Sequence, residues 1–105
     1  MRITISHTKT RQEARAIVER SIDQVFMGLA VGPLELTDCR KEWSGDVLIF
    51  ALTARMGFLR TPIRGSASVS EKDVTIEVDL GLLNMLIPED LAKSRIEGQV
   101  RGFLA

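Results

Sequence analysis

The segment from Val74 to Leu80 constrains the fold of this chain more than any other part of the sequence. Its apolar members are Val74, Ile76, Val78 and Leu80, and the polar residues between them are Thr75, Glu77 and Asp79. A period of two is typical of a β-strand with one buried face and one face in water. A sheet built from such strands needs covering elements on one side only.

The sequence from residue 34 to residue 80 predicts a meander of four strands. The three strands before Val74 cover about Leu34 to Glu42, Val47 to Ala54 and Pro62 to Val69. Trp43-Ser44-Gly45-Asp46 has the composition of a hairpin turn, and Ser70 to Asp73 reverses the chain again. Near the start of the chain, Ile3 and Ile5 alternate with polar neighbours and predict one further strand.

Two helical patterns flank the meander. Thr10-Arg11-Gln12-Glu13 fits a capping box, which marks the start of a helix. Its apolar residues recur at steps of three and four: Ala14, Ile17, Val18, Ile22, Val25, Phe26 and Leu29. A second helix begins near Pro88-Glu89-Asp90, and its apolar stripe is Ala92, Ile96, Val100 and Phe103.

The order of elements is therefore strand, helix, four strands, helix. The simplest packing of these elements is a two-layer α+β domain, with an antiparallel sheet and both helices on one face of the sheet. With 105 residues, the chain is expected to form a single domain over residues 1–105. The pattern leaves the order of the strands in the sheet open.

Charge and composition exclude several classes of function. The 14 Lys and Arg residues balance 14 Asp and Glu, and the chain has one Trp and no Tyr, so we expect no nucleic-acid partner. A single Cys rules out an internal disulfide, and no spacing typical of a metal or cofactor site occurs. We expect no transmembrane segment, because no apolar run approaches about 18 residues. The chain opens on a strand-like segment without a signal-peptide pattern, so we expect a cytoplasmic protein.

The residues that could carry catalysis all have a structural interpretation beside the catalytic one. His7 lies at a strand end before the helix cap, where hydrogen bonding to a turn is the ordinary role. Cys39 has no orienting group or oxyanion site in the sequence around it, and we expect it to be a small packing residue. Glu77 and Asp79 share a strand face, where Arg64 could pair with them. We therefore predict no catalytic residues and no enzymatic activity.

Two apolar connections converge at one end of the predicted sheet. They read Arg55-Met56-Gly57-Phe58-Leu59-Arg60 and Leu82-Leu83-Asn84-Met85-Leu86-Ile87. We define the apolar end as their eight large apolar side chains: Met56, Phe58, Leu59, Leu82, Leu83, Met85, Leu86 and Ile87. Exposed apolar patches often bind partners, whereas the same side chains could instead close the core beneath the last helix.

The last helix also carries small residues on the side away from its apolar stripe. Ser94, Gly98 and Gly102 follow one another at steps of four. Such a line allows a second helix to approach closely, either the first helix of the same chain or a helix of a second copy. Fraying of the helix end is a third interpretation, since Gly is common there.

Several segments in their order resemble the bacterial polyhydroxyalkanoic acid system family, whose members are also called granule-region proteins. They are Ile3-Thr4-Ile5 with His7, Glu13-Ala14-Arg15, Trp43-Ser44-Gly45-Asp46 with Leu48 and Phe50, Gly65 to Val69, Val74-Thr75-Ile76-Glu77, and Leu80-Gly81-Leu82-Leu83. The resemblance implies an association with intracellular polyester granules and brings no catalytic residues.

Two hypotheses of function follow. The first is a non-enzymatic accessory protein that uses the apolar end, flanked by Arg55 and Arg60, to contact a granule surface, a lipid-like ligand or a granule protein. The second is a small carrier, similar in layout to START domains, which encloses an acyl or hydroxyacyl ligand between sheet and helices. A homodimer through Ser94, Gly98 and Gly102 is compatible with either.

Overall fold

A computed structural model of the chain describes residues 1–29, 34–85 and 88–104, without the side chains of residues 25–29 and 83–84. In chain order the elements are β1 (Arg2–Ser6), α1 (Arg11–Leu29), β2 (Glu35–Ser44), β3 (Val47–Met56), β4 (Leu59–Val69), β5 (Asp73–Asp79), a 3-10 helix (Gly81–Met85) and α2 (Glu89–Leu104). The predicted order of strands and helices is confirmed, and the 3-10 helix is an addition to it.

The five strands form one antiparallel sheet in the order β1-β5-β4-β3-β2. The chain from β2 to β5 is the predicted meander, and β1 adds to its far side by pairing with β5. Since β1 and β2 are the two edges of the sheet, α1, which joins them in sequence, connects one edge to the other.

One face of the sheet is buried under both helices. The opposite face, which we call the outer face, is open to solvent. On β5, Val74, Ile76 and Val78 are at most 4% exposed, whereas Glu77 and Asp79 are exposed. The helices complete the same core with Ala14, Val18, Ile22, Ala92, Ile96, Val100 and Leu104. The predicted two-layer α+β fold is therefore confirmed, with one polar face on the sheet.

The apolar stripe of α2 ends at Leu104 and not at Phe103 as predicted. Leu104 is 3% exposed and continues the line of Ile96 and Val100 at a constant step of four residues. Phe103 is 41% exposed and lies beside Ile17 on the outer edge of the helix pair. Both spacings are compatible with a helix, and the direction in which α2 lies on the sheet selects Leu104.

The start of α1 carries the predicted capping box. Thr10 Oγ1 accepts a hydrogen bond from the Glu13 amide at 3.1 Å, and Glu13 Oε1 accepts one from the Thr10 amide at 3.3 Å. The Thr10 hydroxyl also donates to Glu13 Oε1 at 2.9 Å. These hydrogen bonds from Thr10 lower the pKa of the Glu13 carboxyl below its ordinary range.

We expect Glu13→Gln to destabilise the protein near neutral pH and to make progressively less difference in acid. A carboxyl whose folded pKa is lowered contributes stability that is present above its unfolded pKa and is lost as pH falls through the folded pKa. The measurement is urea denaturation of both proteins from neutral to strongly acidic pH. A difference in free energy of unfolding that stayed constant in strong acid would contradict this account of the capping box.

Candidate functional site: the apolar end of the sheet

The hairpin formed by β3 and β4 is longer than the sequence predicted. Met56 pairs with Leu59 and Arg55 with Arg60, so only Gly57 and Phe58 form the turn. Gly57 has a φ of +59° and Phe58 has a negative one, which is the pattern of a type II′ turn. The predicted loop from Arg55 to Arg60 is therefore wrong, because this turn lets the strands pair up to its two central residues.

The β3–β4 hairpin runs along the longest dimension of the molecule. Its ladder extends from the pair Val47 and Ser68 to the pair Met56 and Leu59. At about 3.4 Å per residue, this ladder spans about 31 Å. The molecule measures 43 × 24 × 18 Å, so the ladder exceeds the two shorter dimensions. Phe58 therefore lies at one extreme of the long axis.

The opposite end of the hairpin is held by charged side chains. Arg11 lies 3.4 Å from Asp46 in the β2–β3 turn and 3.7 Å from Glu71 in the β4–β5 turn. Arg15 lies 3.8 Å from Asp46 and stacks over the Trp43 ring, 4.4 Å from its centroid. The two ends of the molecule thus differ in chemistry, since one carries ion pairs and the other carries Phe58.

The 3-10 helix after β5 is fixed against the beginning of β4. The amide of Leu82 donates to Thr61 Oγ1 at 3.0 Å, and Thr61 is 2% exposed. Gly81 has a φ of +57°, and a Cβ there would lie 2.9 Å from the Pro62 carbonyl oxygen. Asp79 Oδ1 accepts the Gly81 amide at 2.9 Å. Sequence reasoning missed this contact, although an Asp two residues before a Gly is a local turn signal.

We expect Thr61→Val to destabilise the fold by about 1–3 kcal/mol, because it leaves the Leu82 amide without its acceptor in a partly buried position. Urea denaturation gives the magnitude, and hydrogen exchange at the Leu82 amide should become faster than in the wild type. Thr53→Val on the outer face of β3 is the matched control, and we expect it to change little. Unchanged exchange at Leu82 would contradict this role for Thr61.

The turn of the β3–β4 hairpin and the start of the 3-10 helix lie at the same end of the sheet, but at different levels. The 3-10 helix lies beside Thr61, and the hairpin continues for two further residue pairs and a turn. Those two pairs correspond to about 7 Å along the strands. We call residues 55–60 the hairpin tip, which extends beyond the contact between Thr61 and Leu82.

The described side chains of the apolar end divide into exposed and half-buried ones. Three are exposed, Phe58 fully, Met85 at 83% and Leu82 at 48%. Met56 and Leu59 are half-buried, and Met56 packs against the core. The Leu83 side chain, Leu86 and Ile87 lie outside the described residues. Closure of the core thus accounts for Met56, and it does not account for Phe58 or Met85.

The two arginines of the hairpin tip lie opposite each other on neighbouring strands. Arg55 and Arg60 are directly opposed on β3 and β4, on the outer side of the sheet, and both are exposed. Within the described parts of the chain, neither has an acidic side chain within 4.0 Å. Glu35 is opposite Arg55 on β2 but lies beyond that distance. The tip therefore presents two guanidinium groups beside an exposed aromatic ring.

His7 serves the structure of the opposite end. It is 9% exposed, and its Nδ1 accepts the Lys9 amide at 3.1 Å. The other ring nitrogen, Nε2, therefore carries the proton and donates to the Ser70 carbonyl at 2.9 Å. Both ring nitrogens thus tie the end of β1 to the β4–β5 turn, as the hydrogen-bonding interpretation predicted.

Cys39 is exposed, so the prediction of a packing residue is wrong. It follows Asp38, which has a φ of +56°, at an irregularity of the β2–β3 pairing that disturbs the alternation of faces. Partial desolvation and the Asp23 carboxylate, 3.9 Å from the sulfur, raise the pKa of the Cys39 thiol. His7 and Cys39 belong to opposite edges of the sheet, about 19 Å apart across four strand spacings.

The two carboxylates of β5 are engaged separately. Glu77 pairs with Arg2 at 3.5 Å, and Asp79 holds the Gly81 amide. Arg64, the expected partner, is opposite Asp79 in the sheet but forms no ion pair with it within 4.0 Å. The part of the chain that the structure describes contains no group of three or more His, Cys, Asp and Glu that could hold a metal ion.

The small residues of α2 face solvent. Ser94, Gly98 and Gly102 are exposed, and a Cβ added at either glycine would meet no atom within 4 Å. No described atom of α1 therefore contacts Gly98 or Gly102 closely enough to explain the small residues. Pairing with a second copy stays a prediction.

One known family matches nearly the whole chain. The family model described as "Putative polyhydroxyalkanoic acid system protein" matches residues 1–104. The chain belongs to this family. No curated protein and no solved structure shows a significant match to it. Among the described residues, no helix is both long and apolar enough to cross a membrane.

Proposed function

We propose that this polyhydroxyalkanoic acid system protein is a non-enzymatic, cytoplasmic accessory that contacts the hydrophobic surface of the polyester granule, or a protein on it, through the apolar end. The observation that carries the proposal is the position of Phe58. It is fully exposed at the turn of a hairpin that projects along the long axis, where a folded protein gains nothing from an aromatic ring in water.

The energetics favour reversible adsorption. Full burial of a large apolar side chain contributes about 1.5–3 kcal/mol, and Phe58, Leu82 and Met85 together supply three such groups. Loss of translational and rotational freedom on association costs several kcal/mol of that gain. Many copies on one surface would each bind weakly and exchange with protein in solution.

The carrier hypothesis has less support. It requires space between the sheet and the helices, where Leu48, Phe50 and Ile96 are at most 2% exposed. A pocket of about 500 Å³ among the described residues lies instead on the outer face, lined by Arg2, Arg64 and Glu77. We therefore favour contact at a surface over enclosure of a ligand.

The test is co-sedimentation of the purified protein with particles of amorphous polyhydroxybutyrate, at low salt and at high salt. Salt screens attraction between charges and leaves apolar contact in place. We expect adsorption that persists at high salt, and none to cellulose particles of the same size. Adsorption that disappears at high salt, or none at either condition, would overturn the proposal.

A further inference from the structure

We propose that the hairpin tip inserts into an anionic phospholipid layer, with Arg55 and Arg60 on the headgroup phosphates and Phe58 among the acyl chains. This inference rests on the proposed function and specifies the chemistry of the surface, since amphiphiles collect where an apolar polymer meets water. It assigns separate tasks to the ring and to the two guanidinium groups.

The distances along the hairpin fit the depth of an interface. Arg55 and Arg60 form one residue pair, Met56 and Leu59 form the next, and the turn with Phe58 follows. Two steps of about 3.4 Å place the turn about 7 Å beyond the arginine pair. Interfacial elements bury their apolar face about 5–10 Å below the headgroups. The arginines then lie at the level of the phosphates when the turn reaches the acyl chains.

Charge supports an anionic surface over a neutral one. Like charges directly opposed on neighbouring strands repel each other, and Arg55 and Arg60 have no acidic partner within 4.0 Å among the described residues. Glu35, opposite Arg55, cancels part of the charge and leaves the group of three positive. Guanidinium groups bind phosphate oxygens in pairs of hydrogen bonds, so a phosphate layer relieves the repulsion that a bare polyester surface leaves in place.

The backbone of the tip is suited to an apolar medium. Peptide groups in the apolar region of a lipid layer need hydrogen-bond partners within the protein. Strand pairing continues to Met56 and Leu59, so only the two-residue turn extends beyond the ladder. The ion pairs of Arg11 and Arg15 lie at the other end of the long axis, which favours insertion of the tip end first.

The experiment measures binding to vesicles of phosphatidylcholine alone and of phosphatidylcholine mixed with phosphatidylglycerol. Wild-type protein should bind the mixed vesicles more tightly than the neutral ones. The tip variant, Arg55→Gln with Arg60→Gln, should bind the mixed vesicles about 25-fold more weakly than the wild type, from about fivefold for each arginine. Arg40→Gln with Arg64→Gln is the matched control, because it removes the same charge from the outer face away from the tip. It should bind nearly as the wild type does.

Three results would overturn the inference: equal binding to the two vesicle types, wild-type binding by the tip variant, or equal losses in both variants. Adsorption to bare polyester particles distinguishes failure of this inference from failure of the proposed function. The tip variant should still adsorb to these particles. If the wild type adsorbs to bare polyester and ignores phosphatidylglycerol, only the inference falls. If it binds the mixed vesicles and not the polyester, the inference stands and the proposed function falls.

Discussion

Replacing Phe58 and Met85 together by aspartate is expected to reduce adsorption to polyester particles by at least about tenfold. Each side chain contributes about 1.5–3 kcal/mol when it is fully buried against an apolar surface, and a carboxylate resists leaving water. Tenfold corresponds to about 1.4 kcal/mol, so partial burial of the two side chains suffices. Co-sedimentation across a range of particle concentrations gives the change in affinity.

This double variant should remain folded, since Phe58 is fully exposed and Met85 is 83% exposed. Exposed substitutions of this kind usually change stability by no more than about 0.5 kcal/mol. Ile49→Asp is the matched control, because Ile49 is 51% exposed on the outer face of β3, away from the tip. Wild-type adsorption by the double variant, or an equal loss in the Ile49 variant, would remove the apolar end as the contact.

The largest loss of stability is expected for Phe50→Ala, at about 3–5 kcal/mol. Phe50 is 2% exposed at the centre of the core and is the cross-strand partner of Gly65. Its ring lies over Gly65, where a Cβ would overlap the ring and would lie 2.6 Å from the Glu77 carbonyl oxygen. Glycine at this position thus lets the aromatic ring cover the neighbouring strand.

Gly65→Ala alone should cost about 1–3 kcal/mol through overpacking. In combination with Phe50→Ala, the added methyl enters space that the ring has left, so the double variant should lose less than the sum of the single losses. Urea denaturation of the four proteins measures this coupling. Strictly additive losses would show that the ring and Gly65 do not share the space described here.

The fold could be predicted where the determining interactions are local. Thr10 and Glu13 are three residues apart, so their spacing alone predicts the capping box, and the hydrogen bonds between them confirm it. The alternation of apolar and polar residues on β5 likewise shows which residues are buried and which are exposed, and it identifies the buried face of the sheet. These patterns require no knowledge of distant parts of the chain.

Strand order could not be predicted, because the partner of β1 is distant in sequence. Ile3 pairs with Ile76 and Ile5 with Val74, and nothing near Ile3 specifies that choice. The burial of Leu104 could not be predicted for the same reason. Phe103 fits the helical spacing equally well, and only the packing of α2 distinguishes the two residues.

For the candidate site, the sequence predicts the end of the sheet at which the apolar connections lie, and it does not predict the shape of the hairpin. The sequence predicts both apolar connections at one end of the sheet, because antiparallel strands return the chain to that end, and the hairpin turn and the start of the 3-10 helix lie there. Arg55 to Arg60 were expected to form a loop. Gly57 is instead the first residue of a two-residue turn, and this turn allows both strands to extend to it. The position of Phe58 beyond the contact between Thr61 and Leu82 follows from that extension.

The most direct test identifies which part of the protein contacts the polyester surface. In a Cys39→Ser background, Phe58→Cys or Ser68→Cys carries an apolar, environment-sensitive dye at one end of the hairpin or toward the other. On addition of polyhydroxybutyrate particles, the dye at residue 58 should shift to the blue and resist quenching by iodide, while the dye at residue 68 stays in water. A shift at residue 68 without one at residue 58 would contradict the apolar end as the contact.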